Sequence, residues 1–251
     1  MQNKRKVDIC LTPSLLDLFN LSDKLVVVID VFRATSAMCV FLNNGGRSVI
    51  PFATIDEAKI YTNNNTNQQY LVAAERDGRI VPGFDLGNSP LSYHNKNFTG
   101  SSLVITTTNG TLSISKSKKT SCGIVLASFL NMSAVCNYLN SIDKDVLFVC
   151  SGWKGRMCVE DLLLAGLMSS KLLSKNNFIS QSDSVLMGLS LYESAKGDIV
   201  EFLSKSAYKN RLNLDADIKY CLQQDIMSIV PIWSQNYDGN ECFFVKKSNN
   251  V

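Results

Sequence analysis

Short runs rich in β-branched and apolar residues, at 7–11, 25–29, 47–52, 70–74, 103–106, 123–127 and 145–150, alternate with segments of helical period at 34–42, 55–61, 111–117, 132–140 and 159–173. That alternation constrains the chain more than any other feature. Strands that pair side by side in parallel need a crossover between them, and a helical crossover lies on a face of the sheet. The spacing therefore predicts an α/β fold, with a largely parallel or mixed sheet and helices on both faces. After about residue 175 the pattern changes to helices at 185–194, 199–206 and 215–224, then strands at 229–233 and 242–246. Two organisations fit this change: one unit over 1–251, or an α/β lobe at 1–175 and a helical lobe at 176–251 with a site between them.

Composition removes several function classes. The 251 residues carry 25 basic and 22 acidic side chains, a net charge of +3, too weak a field for nucleic acid as the main partner. The single histidine, His94, excludes a histidine metal cluster and paired-histidine phosphatase chemistry. The eight cysteines include no C-x-x-C pair, and most lie in apolar runs, where a thiol packs as a small hydrophobe. Reduced thiols without a signal peptide lead us to expect a cytoplasmic protein. No segment approaches the roughly 20 apolar residues needed to span a bilayer, so no membrane partner is expected.

In α/β sheets, ligands sit beyond the carboxyl ends of the strands. Four such ends carry chemically useful side chains: Asp30-Val31-Phe32-Arg33-Ala34-Thr35-Ser36, Glu75-Arg76-Asp77-Gly78-Arg79, Thr107-Thr108-Asn109-Gly110-Thr111, and Ser151-Gly152-Trp153-Lys154-Gly155-Arg156 followed by Glu160-Asp161. Four of the seven arginines (Arg33, Arg76, Arg79 and Arg156) fall in these segments. Guanidinium forks beside carboxylates suit a small phosphorylated anion held near Mg²⁺, although any single Asp-Arg neighbour is equally well a solvated loop pair. The stretch 75–90 holds three of the 14 glycines and two of the five prolines, the composition of a functional loop. The asparagine-rich stretch 63–69 reads as a solvated loop.

Two segments imitate known phosphatase chemistries. Asp30 followed by Thr35 resembles the start of a haloacid dehalogenase-type phosphatase, but the position where that chemistry places its second acid is Phe32. Cys150-Ser151-Gly152-Trp153-Lys154-Gly155-Arg156 has the Cys-x5-Arg spacing of a cysteine-dependent phosphatase, an alternative in which Cys150 is the nucleophile. The structural reading of Cys150 is the last buried residue of its strand. His94 reads as a surface or capping residue, and Trp153 could close over a ligand.

Together the blocks 28–36, 75–90, 107–111, 150–152 with 160–162, and 217–222 with Asp225 and Val230-Pro231 resemble the signature segments of the 2-phosphosulfolactate phosphatase family, in order and nearly end to end. The resemblance implies a family-specific α/β fold and Mg²⁺-dependent hydrolysis of 2-phospho-3-sulfolactate to 3-sulfolactate and phosphate, a step of coenzyme M biosynthesis. It puts Asp30, Glu75, Asp85, Glu160 and Asp161 in acidic positions, with Asp30, Glu75, Glu160 and Asp161 as the metal-ligand set. Asp30, Arg33, Glu75, Arg76 and Asp85 would be catalytic. Arg33, Arg76, Arg79, Asn88, Asn109, Gly110, Thr111 and Ser151 would bind the substrate. Glu160 and Asp161 are adjacent in a helix and point about 100° apart, so one of them is expected to face the site. The partner implied is a small anionic phosphorylated substrate, with a homo-oligomer left open. A non-catalytic anion-binding protein is the reading from a different class.

Overall fold

The structure, a computed structural model, describes residues 4–66, 70–207, 215–235 and 241–245. The first half runs β1 (Arg5–Cys10), β2 (Lys24–Ile29), α1 (Ala34–Asn43), β3 (Ser48–Pro51), α2 (Ile55–Asn64), β4 (Tyr70–Arg76), β5 (Arg79–Ile80), β6 (Ser102–Thr106) and α3 (Gly110–Ser117). The second half runs β7 (Ile124–Ala127), α4 (Met132–Ser141), β8 (Asp145–Cys150), α5 (Val159–Leu173), β9 (Phe178–Ile179), α6 (Asp183–Ala195), α7 (Ile199–Ser204), α8 (Asp215–Cys221), β10 (Pro231–Gln235) and β11 (Glu241–Val245).

All the strands join one mixed sheet in the order β5-β4-β6-β3-β11-β10-β7-β2-β8-β1-β9. Two parallel blocks are visible in it. In one, β6 pairs with β4 and β3 (Tyr70↔Ser102, Ser48↔Ser102). In the other, β2 lies between β7 and β8 (Ile29↔Ala127, Ile29↔Cys150), and β1 pairs β8 and β9. The C-terminal hairpin β10–β11 joins the blocks through antiparallel pairs, Ile232↔Val125 and Phe243↔Val49. Trp233 and Phe243 face each other in that hairpin with ring centroids 5.0 Å apart. The last strands are thus in the middle of the sheet.

Strand β2, Lys-Leu-Val-Val-Val-Ile, is buried at every position after the first, as a parallel strand covered on both faces must be. Its residues alternate between two cores. Leu25, Val27 and Ile29 pack with α4 and α5, whereas Val26 and Val28 pack with α1 and α3. Helix α1 has no charged side chain and is buried at nine of its ten positions, the signature of a helix enclosed on all sides.

The sequence-derived strands and helices recur with ends shifted by a few residues. Helix α2 extends through Asn64, so the expected 63–69 loop starts later, and residues 67–69 lie outside the described residues. Helix α8 ends at Cys221 rather than 224, and residue 246, expected in the last strand, also lies outside them. The two-residue strands β5 and β9 are too short to show a period. Among the described residues no helix is long and apolar enough to cross a membrane.

Helix α5 carries Glu160 and Asp161, and its seat on α6 depends on two glycines. A Cβ at Gly166 would stand 2.0 Å from the carbonyl oxygen of Gly188, an atom that cannot rotate away. Gly166→Ala should therefore lower the unfolding free energy by about 2–3 kcal/mol, despite alanine's better helix propensity. Gly197→Ala meets nothing within 4 Å and should leave it within about 1 kcal/mol. Urea titrations measure both, and an unchanged midpoint for Gly166→Ala would show that the two helices are not packed this closely.

Candidate active site

The turn after β2 is closed by its own side chains. Thr35 Oγ1 donates to the carbonyl of Asp30 (2.8 Å) and accepts from the Asp30 amide (3.1 Å), while Ser36 Oγ donates to the carbonyl of Val31 (2.9 Å). Asp30 Oδ1 accepts the amide of Ala34 (3.1 Å), which sets a carboxylate on the first turn of α1, where the helix dipole favours negative charge. The Phe32–Arg33 peptide is cis.

Strand β4 ends in a hairpin with β5 whose two-residue loop is Asp77-Gly78, both at positive φ (49° and 78°), as the tight turns of β-hairpins demand. Glu75 Oε1 accepts the amide of Gly78 (2.5 Å), and Oε2 accepts from Thr108 Oγ1 (3.4 Å), so this carboxylate bridges the ends of β4 and β6. Helix α3 then begins against Asp30. A Cβ at Gly110 would stand 2.7 Å from Asp30 Oδ2, so only glycine permits that approach.

Asp161 does the corresponding work between β2 and β8. Its Oδ1 accepts the amide of Val31 and its Oδ2 the amide of Gly152, both at 2.9 Å. The 153–156 loop turns back on itself through reciprocal Trp153–Arg156 backbone bonds. Lys154 fastens it to the other strand ends: its amide donates to Asn109 Oδ1 (3.1 Å) and its Nζ to Asp77 Oδ1 (3.1 Å).

A cavity of about 220 Å³ opens at these ends, lined by Asp30, Phe32, Arg33, Glu75, Asp77, Gly78, Asn88, Thr107, Thr108, Asn109 and Trp153. A smaller chamber of about 100 Å³ shares Arg33, Glu75, Gly78 and Asn88 with it and adds Arg79, Ser89 and Ser92. Asn88 is buried in the common wall, and its side-chain oxygen has no hydrogen-bond partner. Of the sequence-derived site residues, Asp30, Arg33, Glu75, Asn88 and Asn109 come together here, and Arg79 lines the side chamber.

Others do not line either space. Arg76 follows Glu75 on a pleated strand, so it points to the opposite face; its guanidinium donates to the Glu75 carbonyl (2.7 Å) and to Thr106 Oγ1 (3.0 Å). Asp85 is exposed and accepts the edge amide of Val72 (3.0 Å), holding the 81–88 stretch along β4. Thr111 is spent on Thr107, exchanging amide and hydroxyl bonds at 3.2 Å. Gly110 touches the site through Asp30 rather than through the cavity wall. Ser151 is buried one residue beyond the Ile29↔Cys150 pair, and its hydroxyl has no partner. Glu160 and Asp161 are both buried, and neither is among the residues that line the two spaces, where one of them was expected. His94 is exposed and bonds the Tyr220 hydroxyl (3.1 Å), in keeping with a surface role.

The cysteine alternative loses its geometry. Cys150 is fully buried within β8, burial pushes its thiol well above the ordinary range, and Arg156 is exposed on the turned-back loop. The sequence reading gave no role to Asp77, Ser89, Thr107, Thr108 or Asp217. Asp77-Gly78 is a hairpin signal in the sequence; Ser89, Thr107, Thr108 and Asp217 lie in the blocks that carry the family resemblance, without a role of their own there.

The family model described as 2-phosphosulpholactate phosphatase matches residues 10–236. The chain belongs to this family. A protein of Clostridium botulinum (strain Eklund 17B), named probable 2-phosphosulfolactate phosphatase, is 32% identical over 242 residues, covering 94% of this chain and 98% of that one. Proteins of the same name from Thermotoga petrophila and Caldanaerobacter subterraneus are 39% and 36% identical, over 82% and 84% of this chain and 87% and 88% of theirs. Three of the blocks that carry the resemblance, 28–36, 75–90 and 107–111, supply residues that line the cavity.

Electrostatically this end of the sheet is over-supplied with acids. Burial pushes Asp30 up to about 7; Glu75 and Glu160 push the same way, while the Ala34 amide and Arg33 pull against them. Asp161 is also raised, by burial and then by Glu160 and Asp30, although two amides hold it. Among the described residues no three His, Cys, Asp or Glu side chains converge into a ready metal cage. A hard cation that keeps several waters needs only one or two carboxylates, so an Asp30–Glu75 pair facing the cavity fits Mg²⁺. Asp161, with both oxygens on amides, is the least available of the four.

Protonation of Asp30 has a testable sign. Its carboxyl ionises near 4 when unfolded and near 7 when folded, so the folded chain holds an extra proton between those values. Stability of the metal-free protein should fall as pH rises from about 4 to about 7, by about 2–4 kcal/mol from this group. Asp30→Asn keeps an acceptor for the Ala34 amide and removes the charge. It should match wild type near pH 4 and exceed it by a similar amount at pH 8. Urea midpoints with chelator at the two pH values provide the measurement; a variant less stable than wild type at pH 8 would contradict the charge argument.

Proposed function

We propose that this protein hydrolyses 2-phospho-3-sulfolactate to 3-sulfolactate and phosphate, with Mg²⁺ held by Asp30 and Glu75, as a step of coenzyme M biosynthesis. The observation that carries the reading is the shared wall of the two chambers, where Arg33, Glu75, Gly78 and Asn88 face both spaces. A substrate that carries a sulfonate and a carboxylate besides its phosphoryl group needs more than one such space. In this reading the phosphoryl group lies in the larger cavity against Arg33 and Asn109. The sulfonate lies in the smaller one against Arg79 and the amide of Asn88, whose ring-free planar head can present either its oxygen or its NH₂. Mg²⁺, when bound, would neutralise phosphoryl oxygens that the carboxylates alone would repel.

The chain's own residues supply the rest. Arg33 orients the phosphoryl group by its fixed guanidinium fork. Trp153, stacked under Lys154 with the ammonium 4.7 Å from the ring centre, narrows the mouth and limits water around the reacting bond. Glu160 and Asp161 act from behind the wall, Glu160 by its charge on Asp30 and Asp161 by fixing the Val31 and Gly152 amides. A purely anion-binding protein would gain nothing from carboxylates on the cavity surface, since they repel the ligand.

Phosphate release tests the reading. Activity should vanish with EDTA and return with Mg²⁺; full activity in metal-free buffer would refute the cation. The kcat/KM for 2-phosphosulfolactate should exceed that for a plain alkyl phosphate by about tenfold or more, because a charged hydrogen-bonded contact is worth about 1.5–3 kcal/mol. Equal values for both, and for 2-phospholactate, would mean that Arg79 and Asn88 serve structure alone.

Substitution separates this chemistry from the thiolate alternative. Cys150→Ser buries a hydroxyl in a strand and should cost about 1–2 kcal/mol of stability, with at least about a tenth of kcat retained. Asp30→Asn should fall far below that. A folded, Mg²⁺-supplied and inactive Cys150→Ser protein would transfer the nucleophile's role to Cys150.

A further inference from the structure

Arg33 is a cavity residue whose geometry is decided elsewhere in the fold. Its Nη1 donates to Asp217 Oδ2 at 2.5 Å, and its Nη2 to the carbonyl of Gly78 at 3.3 Å. Asp217 lies 184 residues further along, in α8, and its other oxygen accepts from Ser89 Oγ at 2.6 Å. Arg33 and Asp217 are 5% and 4% exposed. Both oxygens of the carboxylate are therefore engaged, and it ties the β2–α1 turn, the stretch before Pro90 and α8 into one unit.

Such a pair is a costly way to gain stability, because desolvating both charges offsets most of their attraction. It also spends part of the arginine's charge on an acid behind the wall instead of on the ligand. What it does supply is position. Asp30 and Glu75 line the same cavity as Arg33, so a guanidinium released from Asp217 has these acids available as alternative partners. Paired with them, it would fill the space of the substrate.

We propose that Asp217 is a positioning residue for the phosphatase reaction: through its bonds to Arg33 and Ser89 it holds the guanidinium on the cavity wall and away from Asp30 and Glu75. The proposal rests on the function proposed above for the site as a whole. It gives α8, which lines neither chamber with Asp217, a direct hold on substrate affinity.

The test combines phosphate-release kinetics on 2-phosphosulfolactate with calorimetric binding of inorganic phosphate, both in Mg²⁺. Asp217→Asn should lower kcat/KM by about 100-fold, as misplaced binding groups do, and weaken phosphate binding by about tenfold. The loss should be shared with its partner: Arg33→Ala/Asp217→Asn should be no worse than Arg33→Ala alone, within about threefold. Ser89→Ala keeps the ion pair but frees one carboxylate oxygen, and should raise KM by about three- to tenfold with kcat little changed. A folded Asp217→Asn protein within about threefold of wild type, or a double variant whose losses multiply, would overturn the proposal. If Asp217→Asn does not fold, Ser89→Ala decides: an unchanged KM overturns it. Wild type that binds phosphate but does not turn over the substrate would count against the function alone, and the binding series would still measure the Asp217–Arg33 coupling.

Discussion

The structure depends on the burial of α1. A ten-residue helix with nine buried positions and no charge can exist only if both parallel blocks of the sheet supply its surroundings. Asp30 and Arg33 lie in the turn that leads into it, so the element that most needs enclosure also fixes the central acid and the central guanidinium. The hydroxyls of Thr35 and Ser36, turned back onto the end of β2, keep that delivery rigid without exposing a backbone group. Gly110 then allows α3 to begin against the Asp30 carboxylate.

The acids at this end of the sheet fall into different kinds. Asp161 is satisfied by two amides and behaves as a clamp between β2 and β8. Glu75 does similar work between β4 and β6 but also faces the cavity. Asp30 is the strained one: buried, beside other carboxylates, and raised to about 7. Its instability is the kind that functional sites keep, because the surrounding fold holds the group where it would not choose to be. Arg33 cannot relieve it fully, being shared with Asp217 and Gly78.

Much of this was legible beforehand. Runs such as Lys-Leu-Val-Val-Val-Ile and the period of 159–173 mark elements because burial on two faces, or along one helix face, leaves a trace in composition. The rule that ligands lie beyond strand carboxyl ends named Asp30, Arg33, Glu75 and Asn109 one strand end at a time, and the fold sets all four on one cavity. It also named Arg76, and the family resemblance added Asp85; neither lines the cavity. Arg76 shares a strand end with Glu75, and the pleat separates them; Asp85 sits in a loop rich in glycine and acid but is used to cap an edge amide. The spacing of Cys150 and Arg156 was real, and the turn at Gly152, with φ of 60°, sends the arginine to solvent.

The sequence by itself determined the α/β alternation, the polar strand ends and the scarcity of histidine that excludes whole classes of chemistry. These are local properties, written in neighbours a few residues apart. Only the tertiary structure decided that β10 and β11 enter the middle of the sheet, that Glu75 and Asp30 share one cavity, and that Asp217 holds Arg33. The reason is physical. Pairing partners of a strand and counter-ions of a buried charge are chosen by what else is buried beside them, over separations such as the 184 residues between Arg33 and Asp217, where no periodicity carries the information.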